Sequence, residues 1–118
     1  MPNPLCHFEL MTTDPEKAKV FYGKIFDWRF DDDSIPGYSL INAGAEPTGA
    51  MLRKPETAPD VCTNIYFHVD DIDATLAKAT ELGATVLVGK TEIPNNVGHF
   101  AMITDPQGIT IGILQPST

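Results

Sequence analysis

The stretch "HFELMTTDPEKAKVFYGKIF" (residues 7–26) is matched in pattern, with little identity, by "NIYFHVDDIDATLAKATELG" (residues 64–83), an offset of 57 residues. Each copy opens on a strand-like run of aromatic and aliphatic residues. An aspartate then stands at the turn, Asp14 in the first and Asp71 in the second, and a helical pattern follows. A repeat of this size means that one supersecondary unit has been used twice.

The first helix carries clear start signals. Asp14 is an N-cap type, Pro15 fits the first helical position, and Glu16 suits the positive end of the helix dipole. Ala18, Phe21, Tyr22 and Ile25 recur at helical spacing and predict one apolar face. Phe21, Tyr22, Phe26 and Trp28 are expected as core packing of this helix on its sheet. In the second helix the predicted face is Ile72, Leu76, Ala79 and Leu82, with Gly83 closing the helix in a left-handed conformation.

Short strand-like runs follow each helix. After the first come "DWRFDD" (27–32), "GYSLINA" (37–43) and "TGAMLR" (48–53). After the second come "ATVLVGKTEI" (84–93), "GHFAMITD" (98–105) and "GITIGILQP" (108–116). The triplet "DDD" (31–33) reads as a solvated loop, "EIPNNVGHF" (92–100) as a mobile loop entering a strand at the rim of a cleft, and "DPQG" (105–108) as a turn. The chain is therefore expected to be an α+β domain over residues 1–118, built from two βαβββ modules. Module one spans about 4–53 and module two about 62–116, joined by a Pro-containing linker at about 54–61. A curved sheet with one helix buries one face only, so two such modules are expected to form a half-open, barrel-like cleft suited to a small ligand.

Composition narrows the function. With 118 residues and 42% hydrophobic content, the chain is long enough for one globular domain. Sixteen acidic residues against eight basic ones give a net charge of −8, which repels phosphate backbones and argues against nucleic acid. That acidity would favour a cationic small molecule. No apolar run reaches the length of a membrane helix, and no basic segment with an apolar core opens the chain, so a cytoplasmic location and no membrane partner are expected. The two cysteines, Cys6 and Cys62, lack metal-motif spacing and read as free thiols. Walker A, GxGxxG, HExxH and GxSxG motifs are absent.

The order and spacing of "FYGKIFDW" (21–28), "HVDDIDATLAKATELGA" (68–84) and "DPQGITIGIL" (105–114) resemble the vicinal oxygen chelate superfamily, which groups glyoxalase I, bleomycin resistance proteins and extradiol dioxygenases. The resemblance covers both modules. It implies four metal-ligand positions, one on the first and one on the last strand of each module. Those positions fall on His7, on Asn64 where a His is usual, on Gly112 where a Glu is usual, and near Gly49 or Met51. Only His7 matches, so no metal or other cofactor is expected, a divalent ion being the alternative.

His7, Glu9 and Met11 share a strand face that the resemblance places in the cleft; Cys62, Asn64, Tyr66 and His68 alternate likewise. The expected ligand-binding residues are His7, Glu9, Met11, Met51, Cys62, Asn64, Tyr66 and Gly112, with His7 and Glu9 the best candidate catalytic pair. The leading expectation is a binding protein for a small organic molecule. The alternative is a glyoxalase-like lyase or isomerase, or a dioxygenase-related enzyme, using His7 and Glu9 either alone or with a metal completed by a residue such as His99 or Glu92. A third reading is an interaction module with no small ligand. The resemblance also implies a homodimer.

Overall fold

The computed structural model describes residues 2–59 and 61–117, and for Val61 the backbone alone. Residue 60 of the expected linker, and both ends of the expected domain span, lie outside the described residues. The elements run β1 (Leu5–Thr12), α1 (Pro15–Phe26), β2 (Arg29–Ile35), β3 (Tyr38–Asn42), β4 (Thr48–Arg53), β5 (Val61–His68), α2 (Ile72–Glu81), β6 (Thr85–Ile93), β7 (Gly98–Thr104) and β8 (Thr110–Pro116). This is the α+β fold of two βαβββ modules. Among the described residues no helix is long and apolar enough to cross a membrane.

The chain forms two compact units. One is His7–Asn64; the other holds the residues up to Cys6 and those from Ile65 onward. In the N-terminal unit the strands lie in the order β2-β3-β4-β1, with β1 parallel to β4 and the other pairs antiparallel. The C-terminal unit repeats that scheme as β5-β8-β7-β6, with β5 parallel to β8.

Both helices start as the sequence predicts. The Asp14 carboxylate accepts from the Lys17 amide and the Asp71 carboxylate from the Ala74 amide, each at 3.1 Å. Each thereby satisfies one of the amides a helix leaves unpaired at its start. The ends differ. Gly83 adopts φ +102° after α2, its amide bonding the Thr80 carbonyl while the Ala84 amide bonds that of Ala79. This is a Schellman closure, which the missing Cβ of glycine permits at little cost. After α1 the left-handed position falls on Asp27, at φ 58°.

The helices also bury differently. Ile72 of α2 is fully buried in a core with Val69, Ala101 and Ile113, against which Leu76 packs. Leu82, expected on that face, is 68% exposed because it stands at the end of the helix. No residue of α1 is buried. Its half-buried face is Pro15, Ala18, Lys19, Tyr22 and Gly23, a spacing of i, i+3, i+4, i+7 and i+8. The helix is thus rotated from the expected face. Phe21 and Ile25 are each 56% exposed, and Phe26 is exposed too, so the expected aromatic core is corrected to a partly open cluster. Within it, Tyr22 stacks on Trp28 with ring centroids 5.4 Å apart. Gly23 lies on the inner side, where a Cβ would stand at ordinary contact distance from the Trp28 carbonyl and the Phe30 ring.

Two expected loops are corrected. "DDD" lies within β2, whose register slips between Asp31 and Ile35. There the Asp31 carboxylate accepts from the amides of Asp33 and Ser34 and from the Ser34 hydroxyl, giving the irregular backbone partners that a regular ladder would supply. The segment 92–100 is a strand, a tight turn and a strand. Asn95 and Asn96 take left-handed conformations in that turn, at φ 66° and 59°, which asparagine tolerates better than most residues.

Candidate functional site

The register of β3, β4 and β1 assembles a polar cluster inside the N-terminal unit. Glu9 on β1 and Leu40 on β3 both sit opposite Ala50 of β4, so the three share a row across the sheet. Two residues to one side of that row, on the same face, His7 stands opposite Thr48, and two residues to the other side Tyr38 stands opposite Leu52, so the long Tyr38 side chain reaches back across the row. The Tyr38 hydroxyl donates to Glu9 Oε2 at 2.6 Å and lies 2.7 Å from His7 Nε2. His7 Nδ1 is 2.6 Å from the Thr48 hydroxyl, its register neighbour on β4. On the other side, the Asn64 side-chain amide donates to Glu9 Oε1 at 3.4 Å.

These contacts fix the protons. Tyr38 has one hydrogen and gives it to Glu9, so His7 Nε2 must donate to the Tyr38 oxygen. Burial holds the His7 imidazole below its ordinary value of 6.5, opposed by the nearby Glu9 charge. The ring is therefore neutral near pH 7, and Nδ1 accepts from Thr48. A directed chain results: Thr48 to His7, His7 to Tyr38, Tyr38 to the carboxylate. Glu9 is 8% exposed, and a carboxylate withdrawn from water in this way depends on such donors.

Met11, two residues beyond Glu9 on the same face of β1, lines an open hollow of about 830 Å³. Leu10 and its register partner Met51 approach from the other face of the strand, and Cys62 closes one side. Ala18, Phe21 and Tyr22 of α1 form the wall, with Thr12, Thr13, Asp14 and Lys17 at the rim and Thr63 beside Cys62.

The expected site residues thus fall into three sets. His7, Glu9 and Asn64 join the polar chain, and Met11, Met51 and Cys62 line the hollow. Tyr66 and Gly112 belong to the C-terminal unit, where they are register partners. The buried Tyr66 ring meets Phe100 edge-on there, at a centroid distance of 6.3 Å. His99 and Glu92 are also register partners in that unit, and His68 faces Asp70 at 3.8 Å. Tyr38 and Thr48 were not anticipated. Strand parity would have found both once the order β3-β4-β1 was known.

The family's metal chemistry can be tested against these residues. Both nitrogens of His7 already have hydrogen-bond partners. Gly49 and Gly112 have no side chain to offer, and a Cβ at either position would run into an aromatic ring, Phe8 at the first and Tyr66 at the second. No group of three or more His, Cys, Asp or Glu side chains among the described residues could hold an ion. The donors present do not fit the four-ligand site of the metal-dependent relatives.

Comparison with known proteins places the chain. The profile of the Glyoxalase/Bleomycin resistance protein/Dioxygenase superfamily matches residues 5–113. A Mycobacterium tuberculosis protein named "Putative glyoxylase CFP32" is 35% identical over 114 residues, 91% of this chain but 43% of that protein, so the chain spans less than half of its relative's length. A "Glyoxylase-like domain-containing protein" of Didymella fabae is 29% identical over 89% of this chain and 88% of its own. Among solved structures, methylmalonyl-CoA epimerase from Mycobacterium tuberculosis superposes with a TM-score of 0.76 at 14% identity, covering 97% of this chain and 88% of that one. Homoprotocatechuate 2,3-dioxygenase from Brevibacterium fuscum gives 0.74 at 20%, covering 99% and 39%. Fold, order of elements and family profile agree: the chain belongs to the glyoxalase/bleomycin resistance/dioxygenase superfamily.

Proposed function

We propose that this chain binds a small organic molecule in its N-terminal unit without a resident divalent ion. The observation that supports this most is the placement of a buried, hydrogen-bonded carboxylate, Glu9, two residues along the strand face from Met11 at an open, largely apolar hollow. A site of this kind holds the body of a ligand by burial and orients it by a few polar groups. Screening the chelator-treated protein against a panel of small organic molecules, followed by amide NMR shifts, tests the reading. Saturable binding with shifts centred on Met11, Met51 and Cys62 is the expected result. Binding that appears only when Zn, Ni, Mn or Fe is added, or one tightly held ion per chain by elemental analysis of the protein as purified, would refute it.

A second reading is supported by the buried carboxylate itself. As a single base Glu9 would take a proton from one carbon of a bound molecule and return it to a neighbouring carbon, while the hydrogen bonds from Tyr38 and Asn64 hold the carboxylate in place. That is isomerase or epimerase chemistry with no net redox change, and the relative named as a glyoxylase adds weight to it. Incorporation of deuterium from D2O into α-hydroxy-carbonyl or thioester probes, lost in Glu9→Gln, is the signature. A Glu9→Gln variant that exchanges as fast as the wild type would remove this reading.

A further inference from the structure

The chain as a whole is acidic, with sixteen acidic residues against eight basic ones. The rim of the hollow is not. Lys17 lines it directly. Arg53 donates through Nη1 to the carbonyl of Thr13, another rim residue, at 2.9 Å, and the Lys54 amide bonds the Thr12 carbonyl at 2.9 Å. Three of the eight cationic residues therefore gather on one short edge. The Lys54 ammonium is committed to carbonyls of its own loop, those of Pro55, Glu56 and Ala58. Among the described residues that line the hollow the carboxylate is that of Asp14, and its Oδ1 is engaged by the Lys17 backbone amide.

On α1, Lys19 is held by Glu16 and Asp32. Among the described residues no ion pair holds Lys17 or Lys24, and of these two it is Lys17 that lines the hollow. Met11, Met51, Phe21 and Tyr22 line the same hollow. An apolar hollow with an uncommitted cation at its mouth is complementary to a molecule with an apolar body and one terminal negative charge.

We propose that the hollow takes a hydrophobic carboxylic acid, its body among Met11, Met51, Phe21 and Tyr22 and its carboxylate on Lys17. This rests on the reading of the unit as a small-molecule site and gives that site its ligand class. It also runs against the net charge, which by itself favours a cation.

Three probes of similar shape separate the possibilities: 1-naphthylacetate, its neutral amide, and 1-naphthylmethylamine, titrated by calorimetry into chelator-treated protein at low salt. The acid should bind about fivefold more tightly than the amide, the range expected for one solvent-accessible ion pair, with the amine weakest. Raising the salt should erase most of that preference. Lys17→Gln should bring the acid to the affinity of the amide and leave the amide unchanged, whereas Lys24→Gln, farther along α1, should alter neither. Equal binding of acid and amide, tighter binding of the amine, or an acid preference that survives Lys17→Gln would overturn the proposal. Failure of all three probes, while other molecules bind the same hollow, would overturn the acid assignment and leave the wider reading standing.

Discussion

Glu9 on β1 and Tyr66 on β5 stand at equivalent points of the repeat, 57 residues apart. Both are buried, and their surroundings differ. Glu9 is held by the Tyr38 hydroxyl and the Asn64 amide beside an open hollow. Tyr66 lies across Gly112 and against Phe100. The helices repeat the contrast, since α2 buries Ile72 completely and α1 buries nothing. The C-terminal module buries an apolar side chain of its helix completely, and the N-terminal module, on the same backbone plan, holds hydrogen-bonded polar groups and a hollow lined by its helix. A duplicated scaffold lets one half supply stability while the other carries the cost of buried polar chemistry.

Deleting side chains is the strongest way to break this comparison. Ile72→Ala should destabilise the protein by about 3 kcal/mol, through lost burial and the cavity left behind. Ile25→Ala, on the exposed face of α1, should cost no more than about 0.5 kcal/mol. Urea unfolding of both variants measures the difference, and equal losses would show that α1 is packed after all. Next in size is Tyr38→Phe, which removes the shared partner of His7 and Glu9 and should cost about 1–2 kcal/mol with little change in shape.

The pH dependence of stability sharpens the contrast further, because the shifted histidine belongs to the N-terminal unit. The folded-state pKa of His7 lies below its unfolded value of 6.5, so protons bind the unfolded chain more readily. Stability should be level above that pH and fall as pH drops through it, with the fall ending below the folded-state pKa. His7→Gln should flatten this stretch of the profile. Asp31, Asp32 and Asp105 are held below their ordinary 3.8 by the hydrogen bonds of Ser34, Ser39 and the Ile109 amide respectively, so their loss belongs to a separate, more acid range. The smallest expected effect is at the helix ends. Asp27→Gly should stabilise α1 by a few tenths of a kcal/mol up to about 1, giving it the terminal residue that α2 already has, as thermal unfolding would report.

Much of the fold is legible in the sequence because its signals are local. Asp14 and Asp71 cap helices, and Gly83 and Gly108 take left-handed conformations, through chemistry spanning a few residues. The face of α1 is not legible, because Val20, Phe21, Ile25 and Phe26 carry more apolar surface than one stripe can bury, and Gly23 gives no hint that it marks the inner side. Three consecutive aspartates read as a loop unless the carboxylate of the first, Asp31, is known to satisfy the amides of an irregular strand. At the site, His7 and Glu9 follow from strand alternation alone. Tyr38 and Thr48 do not, because they stand 31 and 41 residues from His7 and reach it only through the register of three strands.

The imidazole of His7 belongs to a hydrogen-bonded chain, both of its nitrogens being engaged by Thr48 and Tyr38. Nitrogen-15 NMR of the histidine rings, recorded near pH 7 before and after an equimolar addition of Zn(II), tests this directly. The expected result is a neutral His7 ring protonated at Nε2, with shifts that the metal leaves in place. A ring that changes tautomer or takes on metal-bound nitrogen shifts at one equivalent of zinc would contradict it.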